Sequence, residues 1–169
     1  KLCVLRQLEI GININPPIAT KQILKGCLKY KTNDFKWVFT SDEGNYIQVQ
    51  NQRHYIKIYD KQLHYKSKGF KVDNEIMRFE IKFSRMKYLN DLGIFNLSEL
   101  INYGLENFKT NLLKEWENVI YYDSEILKGT KFDLIYSNPV FWLNLNYNKL
   151  KYHRNNLNKL MNKNPNNIK

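Results

Sequence analysis

The chain has 169 residues, with 27 lysines and arginines against 16 acids and a formal charge of +11. That length suits one domain able to bury a sizeable core, and a composition that is 43% hydrophobic and 14% aromatic excludes a disordered tail. So strong a positive field favours a polyanionic partner, nucleic acid first; a generic basic surface left by Lys- and Asn-rich coding is the plainer alternative.

No run of about 18 apolar residues and no charged-then-apolar leader is present, so neither a membrane span nor secretion is expected. Cys3 and Cys27 lack metal-ligand spacing and read as thiols of a reducing compartment, the cytoplasm. The chain starts at Lys1 inside a strand pattern without a methionine, so residues upstream are expected.

In chain order, Leu2–Asn13 alternates Leu2, Val4, Leu8, Ile10 and Ile12 with a second set containing Glu9, Gly11 and Asn13, the period of a strand. Pro16-Pro17 ends it. Ile18–Tyr30 carries Ile23, Leu24, Cys27 and Leu28 as a helical stripe. Phe35–Thr40, Asn45–Gln50 and Arg53–Gln62 follow as an antiparallel meander, separated by Ser-Asp-Glu-Gly and by Asn-Gln-Arg. Lys66–Asn74 reads as a loop and Glu75–Ser84 as the last strand of the sheet, with Met77, Phe79, Ile81 and Phe83 opposite Arg78, Glu80 and Lys82.

Asn96-x-x-Glu99 is a capping signal for a helix whose stripe runs from Leu97 through Ile101, Leu105, Phe108, Leu112 and Trp116 to Val119. This helix, bent near Gly104 or Thr110, is expected to cover the apolar face of the sheet. Val119–Tyr122 and Phe132–Tyr136 read as short strands or extended loop, Asn138-Pro139 as a turn, and Asn146–Lys163 as a basic helix with a frayed tail. The expected organisation is α+β: a mostly antiparallel sheet with helices on one face and an open polar face over residues 1–145, then a basic C-terminal helix over 146–169.

The familiar catalytic signatures are missing: there is no phosphate-binding Gly-rich loop, no Gly-x-Ser-x-Gly elbow, no His-x-His and no Cys-x-x-Cys. The polar sheet face is what remains. Glu9 and Glu80 stand mid-strand among apolar neighbours, and a carboxylate there needs a cross-strand cation or a divalent metal ion. Tyr46 shares its face with Gln48 and Gln50, and Tyr55 and Tyr59 share theirs with Lys57 and Lys61. Such tyrosines either stack on bases or, near a cation, attack a phosphodiester. His54 falls on the apolar side and reads as a core or edge residue.

The run Tyr55-Ile-Lys-Ile-Tyr-Asp-Lys61, followed by Arg78-Phe-Glu-Ile-Lys82, resembles the Tyr-Asp-Lys and Arg-Phe-Glu motifs of rolling-circle replication initiators of plasmids and filamentous phages. Leu8–Asn13 is similar to the acidic strand that precedes those motifs, and Leu112–Asp123 and Tyr136–Trp142 are similar to stretches of Lys- and Asn-rich mobile-element proteins. The resemblance implies a metal-dependent nickase with a tyrosine nucleophile on the strand before the Tyr-Asp-Lys segment, the place of Tyr46. The chain departs from that pattern in reading Gly44-Asn-Tyr-Ile-Gln48 around this tyrosine and in lacking a paired-histidine metal motif.

The resulting expectation is a replication initiator that nicks single-stranded or hairpin origin DNA. Tyr46, with Tyr59 as its competitor, is the nucleophile; Glu9 and Glu80 hold Mg²⁺ or Mn²⁺; Arg53, Tyr55, Lys57, Lys61, Arg78 and Lys82 contact the nucleic acid. The rival expectation is a non-enzymatic single-strand-binding module in which the acids are only ion-paired. A basic structural protein without nucleic-acid function is the third.

Overall fold

The computed structural model describes residues 3–39 and 46–164. Leu2, the Ser-Asp-Glu-Gly turn and residues 165–169 of the tail lie outside them. In chain order the elements are β1 (Leu8–Ile14), α1 (Thr20–Gly26), β2 (Cys27–Tyr30), β3 (Asn33–Asp34), β4 (Lys36–Val38), β5 (Tyr46–Gln50) and β6 (His54–Asp60). There follow α2 (Lys61–Ser67), β7 (Met77–Phe83), α3 (Lys87–Asn90), α4 (Leu97–Tyr103), a 3-10 turn (Leu105–Phe108), α5 (Lys109–Glu117) and β8 (Val119–Tyr121). Four helices close the chain: α6 (Ser124–Leu127), α7 (Asp133–Tyr136), α8 (Pro139–Leu143) and α9 (Tyr147–Met161).

The main sheet is antiparallel, in the order β1-β7-β6-β5-β4, and a small second sheet has the order β3-β2-β8. The fold is α+β, as the alternation predicts. Ile47, Val49, Ile56, Ile58, Met77, Phe79, Ile81 and Phe83 form one buried face of the main sheet. Trp116 of α5 meets Phe79 edge-on, with ring centroids 5.2 Å apart. Ile23 and Leu24 of α1, and Leu150, Leu157 and Met161 of α9, enter the same core.

Several boundaries differ from the sequence reading. The helix expected to run to Tyr30 stops at Gly26, because a side chain there would meet the Tyr121 ring and the backbone of Tyr122, and Cys27 opens β2, which pairs with β8. The strand expected to run to Gln62 stops at Asp60, whose carboxylate accepts from Leu63 N at 3.0 Å and caps α2, which takes in Lys66 and Ser67 of the expected loop.

The stripe from Leu97 to Val119 is not one helix. Asn96 and Glu99 make the expected capping box, but Gly104 takes φ +80° and ends α4. Leu97, Ile101 and Leu105 consequently face solvent. Leu100 and Phe108 join Leu89 and Ile94 in a smaller cluster, while Leu112, Trp116 and Val119 reach the sheet core. Phe132–Tyr136 contains α7, and Asn138-Pro139 starts α8, with Asn138 accepting from Val140 N at 2.9 Å.

Candidate functional site

In an antiparallel sheet, residues directly opposite one another point to the same face. The register therefore lays out the polar face in three rows. Glu9, Lys82, Tyr55 and Gln50 form the first; Gly11, Glu80, Lys57, Gln48 and Lys36 the second; Asn13, Arg78, Tyr59, Tyr46 and Val38 the third. Glu9, Tyr46, Tyr59 and Glu80 thus share one face, opposite the apolar set, as the strand parities require.

Glu80 is the centre of this face and is 4% exposed. Its Oε2 accepts from Arg78 Nε at 2.9 Å and from the Tyr59 hydroxyl at 3.1 Å, and Lys57 Nζ stands 3.9 Å from Oε1. A carboxylate this buried needs partners for both oxygens, and two cations and a phenol supply them. Arg78 also donates through Nη1 to Asn13 Oδ1 at 3.1 Å. Its guanidinium can lie there because the strand carries glycine at position 11, where a Cβ would stand 2.8 Å from Arg78 Nε. Sequence reasoning singled out neither Gly11 nor Asn13 for this role, although a glycine inside a strand pattern signals such a close approach.

Tyr59 is pushed well above the ordinary phenol range, first by burial and then by the Glu80 charge. Its proton is committed to Glu80, so it acts as a donor and not as a phenolate. Tyr46 sits directly across the strand pair from it, and Lys57 Nζ lies 5.9 Å from the centre of its ring. Lys61 is the first residue of α2 and not a strand residue, but its ammonium lies 5.6 Å from the Tyr59 ring and 4.7 Å from the Tyr65 ring.

Glu9, on the edge strand, pairs with Lys82 at 2.8 Å. That hydrogen bond holds its carboxyl below the ordinary glutamate range, against the opposing effect of burial, and raises the lysine. Glu9 and Glu80 are diagonal neighbours on adjacent strands, a relation that places them about 7–8 Å apart. Among the described residues no group of three or more His, Cys, Asp or Glu gathers as a metal site. Two carboxylates are nevertheless the hard oxygen donors that Mg²⁺ or Mn²⁺ uses when a substrate phosphate completes its shell. The donor chemistry fits, provided Lys82 and Lys57 give way.

Arg53 differs from expectation. The strand begins at His54, so Arg53 belongs to the preceding bend and lines a cavity of about 150 Å³ with His54, Tyr88 and Glu115, away from the three rows. His54 faces the core side, as its parity requires. It stands 3.1 Å from the Tyr30 hydroxyl, which also bonds Glu115. The phenol has one proton and gives it to the carboxylate, so His54 donates through Nε2. Burial lowers His54 and raises Tyr30. The residues of this buried network lie far apart in the chain, and no spacing in the sequence announces it.

Compared with protein-family models, with curated proteins and with solved structures, the chain matches none. Among the described residues no helix is long and apolar enough to cross a membrane.

Proposed function

We propose that the polar face binds single-stranded DNA and that Tyr46 cuts it by transesterification, as a replication initiator does at an origin. The observation that carries this reading is the division of labour between the two facing tyrosines: Tyr59 is tied to Glu80 at 3.1 Å, whereas Tyr46 lies in the same row with the Lys57 ammonium 5.9 Å from its ring centre. In the step, the Tyr46 oxygen bonds to phosphorus and the bond from phosphorus to one sugar oxygen breaks. The phenol loses a proton and the departing oxygen takes one up. Lys57 and Arg78, held near Glu80, are placed to meet the charge that grows on the phosphoryl oxygens. Glu9 and Glu80 would hold Mg²⁺ or Mn²⁺, which supplies polarisation of the scissile phosphoryl group when bound. Such work belongs in the cytoplasm, with Cys3 and Cys27 reduced.

A second reading is favoured by the ion pairs themselves. With Glu80 already met by Arg78, Lys57 and Tyr59, the face would serve as a stacking and phosphate-binding surface without chemistry. Incubation with supercoiled plasmid and Mn²⁺, followed by a denaturing gel, separates the two. Nicked DNA with protein attached to the cut strand is expected. Tyr46→Phe should abolish the adduct with DNA binding retained, and Tyr59→Phe should weaken nicking only in part. An adduct that survives Tyr46→Phe and disappears with Tyr59→Phe reverses the assignment. Binding without any cut strand leaves the second reading.

A further inference from the structure

A second cationic site lies away from the three rows, where α9 packs beside the turn between β2 and β3. A cavity of about 300 Å³ is lined there by Lys31, Thr32, Asn118, Tyr147, Lys151 and Arg154. Three cations line it and no carboxylate does. Arg154 donates through Nη1 to Asn118 Oδ1 at 3.1 Å; its Nε is buried and bonded to nothing. Among the described residues neither Arg154 nor Lys151 has a carboxylate partner. That Nε has almost no surface open to the cavity, so other atoms of Arg154 form its part of the wall, beside Lys31 and Lys151.

The turn that carries Lys31 is held in place by its neighbours. Lys31 holds φ +54°, the left-handed conformation that lysine rarely adopts and that a two-residue turn ordinarily gives to Asn or Gly. Its N–H is fixed by Asn118 O at 3.0 Å. Lys31 Nζ lies 3.5 Å from Glu115, a carboxylate that also accepts from Asn118 at 3.2 Å and from Tyr30. That carboxylate is accounted for by its own partners and leaves Lys151 and Arg154 uncompensated. Helix α9 itself, Tyr147–Met161, contains no acidic residue.

We propose that this cavity is a binding site for a phosphate group, taken by the Arg154 fork with Lys151 and Lys31 beside it. Arginine suits the task because its planar fork matches phosphate oxygens and a guanidinium N–H makes charge-assisted hydrogen bonds. The phosphate belongs either to a nucleic-acid backbone or to a small phosphate compound. Asn33 Nδ2, on β3, donates to Gln50 O at 3.4 Å, so the turn bearing Lys31 is tied to the end of a strand of the polar face. The site does not depend on the nicking reading.

The test compares thermal melting of the whole protein in inorganic phosphate and in sodium chloride of equal ionic strength, and titrates a labelled single-stranded oligonucleotide over a range of salt. Phosphate should stabilise the wild type saturably beyond chloride. Arg154→Gln should weaken that response about tenfold, the loss of one charge-assisted hydrogen bond. Lys151→Gln, on an exposed side chain that leaves the core untouched, should weaken it less. If both variants also lower the salt slope of oligonucleotide binding by about one, the phosphate is that of the nucleic acid. If the slope is unchanged while the phosphate response is lost, the ligand is a small phosphate compound. A wild type that responds to phosphate as it does to chloride, or a Lys151→Gln and Arg154→Gln pair that both respond like wild type, overturns the site.

Discussion

Glu80 shows how one buried carboxylate organises a face. Because its partners are Arg78, Lys57 and Tyr59, removing it leaves two cations and a phenol without their acceptor. Glu80→Ala is expected to destabilise the fold by about 3 kcal/mol, measured by urea denaturation, as when one member of a buried ion pair is lost. Gly11→Ala tests the same centre from below. The added methyl would press on Arg78 Nε, so the guanidinium should leave Glu80, and nucleic-acid binding should change more than stability does.

Glu9 gives a pH dependence whose sign follows from its lowered carboxyl. A group with a depressed folded value contributes stability above its unfolded value and loses it as pH falls through the folded one. Acid titration of wild type should therefore lose stability below the ordinary glutamate range, and Glu9→Gln should remove that part of the loss. Lys82 is raised by the same pair. Its contribution is present below the ordinary lysine value and lost as pH rises beyond it, so the variant should flatten the alkaline limb as well.

Among the elements, the Tyr-Asp-Lys segment is where motif and structure part company. Its tyrosine belongs to the strand and bonds Glu80, its aspartate caps α2, and its lysine begins that helix. Asp60→Ala should cost about 1 kcal/mol in thermal or chemical denaturation, as a lost N-cap does. Nicking should fall only as far as α2 carries Lys61 away from Tyr59. At Gly104, φ +80° makes any side chain strained, so Gly104→Ala should destabilise by about 1 kcal/mol.

The strands of the polar face were legible because alternation is a local property, and it placed Glu9, Tyr46, Tyr59 and Glu80 together correctly. The helical stripe from Leu97 to Val119 was misleading because period alone does not reveal that one glycine turns the chain and sends Leu97 and Ile101 to solvent. The stretch Cys27–Tyr30 suits a strand as well as a helix, and its pairing with β3 and with β8, about ninety positions along the chain, decides between them. Arg53 was misplaced for a related reason: alternation was extended past His54 into the bend, where the Arg53 carbonyl still accepts from Ser84 N but the residue lines a cavity away from the polar face.

At the scale of the whole molecule, 27 basic side chains against 16 acidic ones give the long-range field, and the two carboxylates of the polar face offset only part of its positive charge. Glu9 pairs with Lys82 at 2.8 Å, whereas Glu80 is shared by Arg78 at 2.9 Å and the more distant Lys57 at 3.9 Å. Affinity for single-stranded DNA should still fall steeply with salt, and Lys57→Gln should lower the slope of log K against log salt by about one. Lys82→Gln should lower it less, because that ammonium already has its counter-charge. Fluorescence anisotropy over a range of salt measures both. A flat response in the wild type would remove the nucleic-acid role altogether.

The sheet order has a kinetic consequence. β7 is bonded on both sides, to β1 and to β6, whereas β1 is bonded on one side only. Amide hydrogens of residues 8–14 should therefore exchange with deuterium through openings that leave residues 77–83 protected. Each such opening carries Glu9 away from Lys82 and Asn13 away from Arg78, while the bonds from Glu80 to Tyr59 and Arg78 persist. Such openings would give the polar face a second form, with one carboxylate in place of two, without unfolding of the protein.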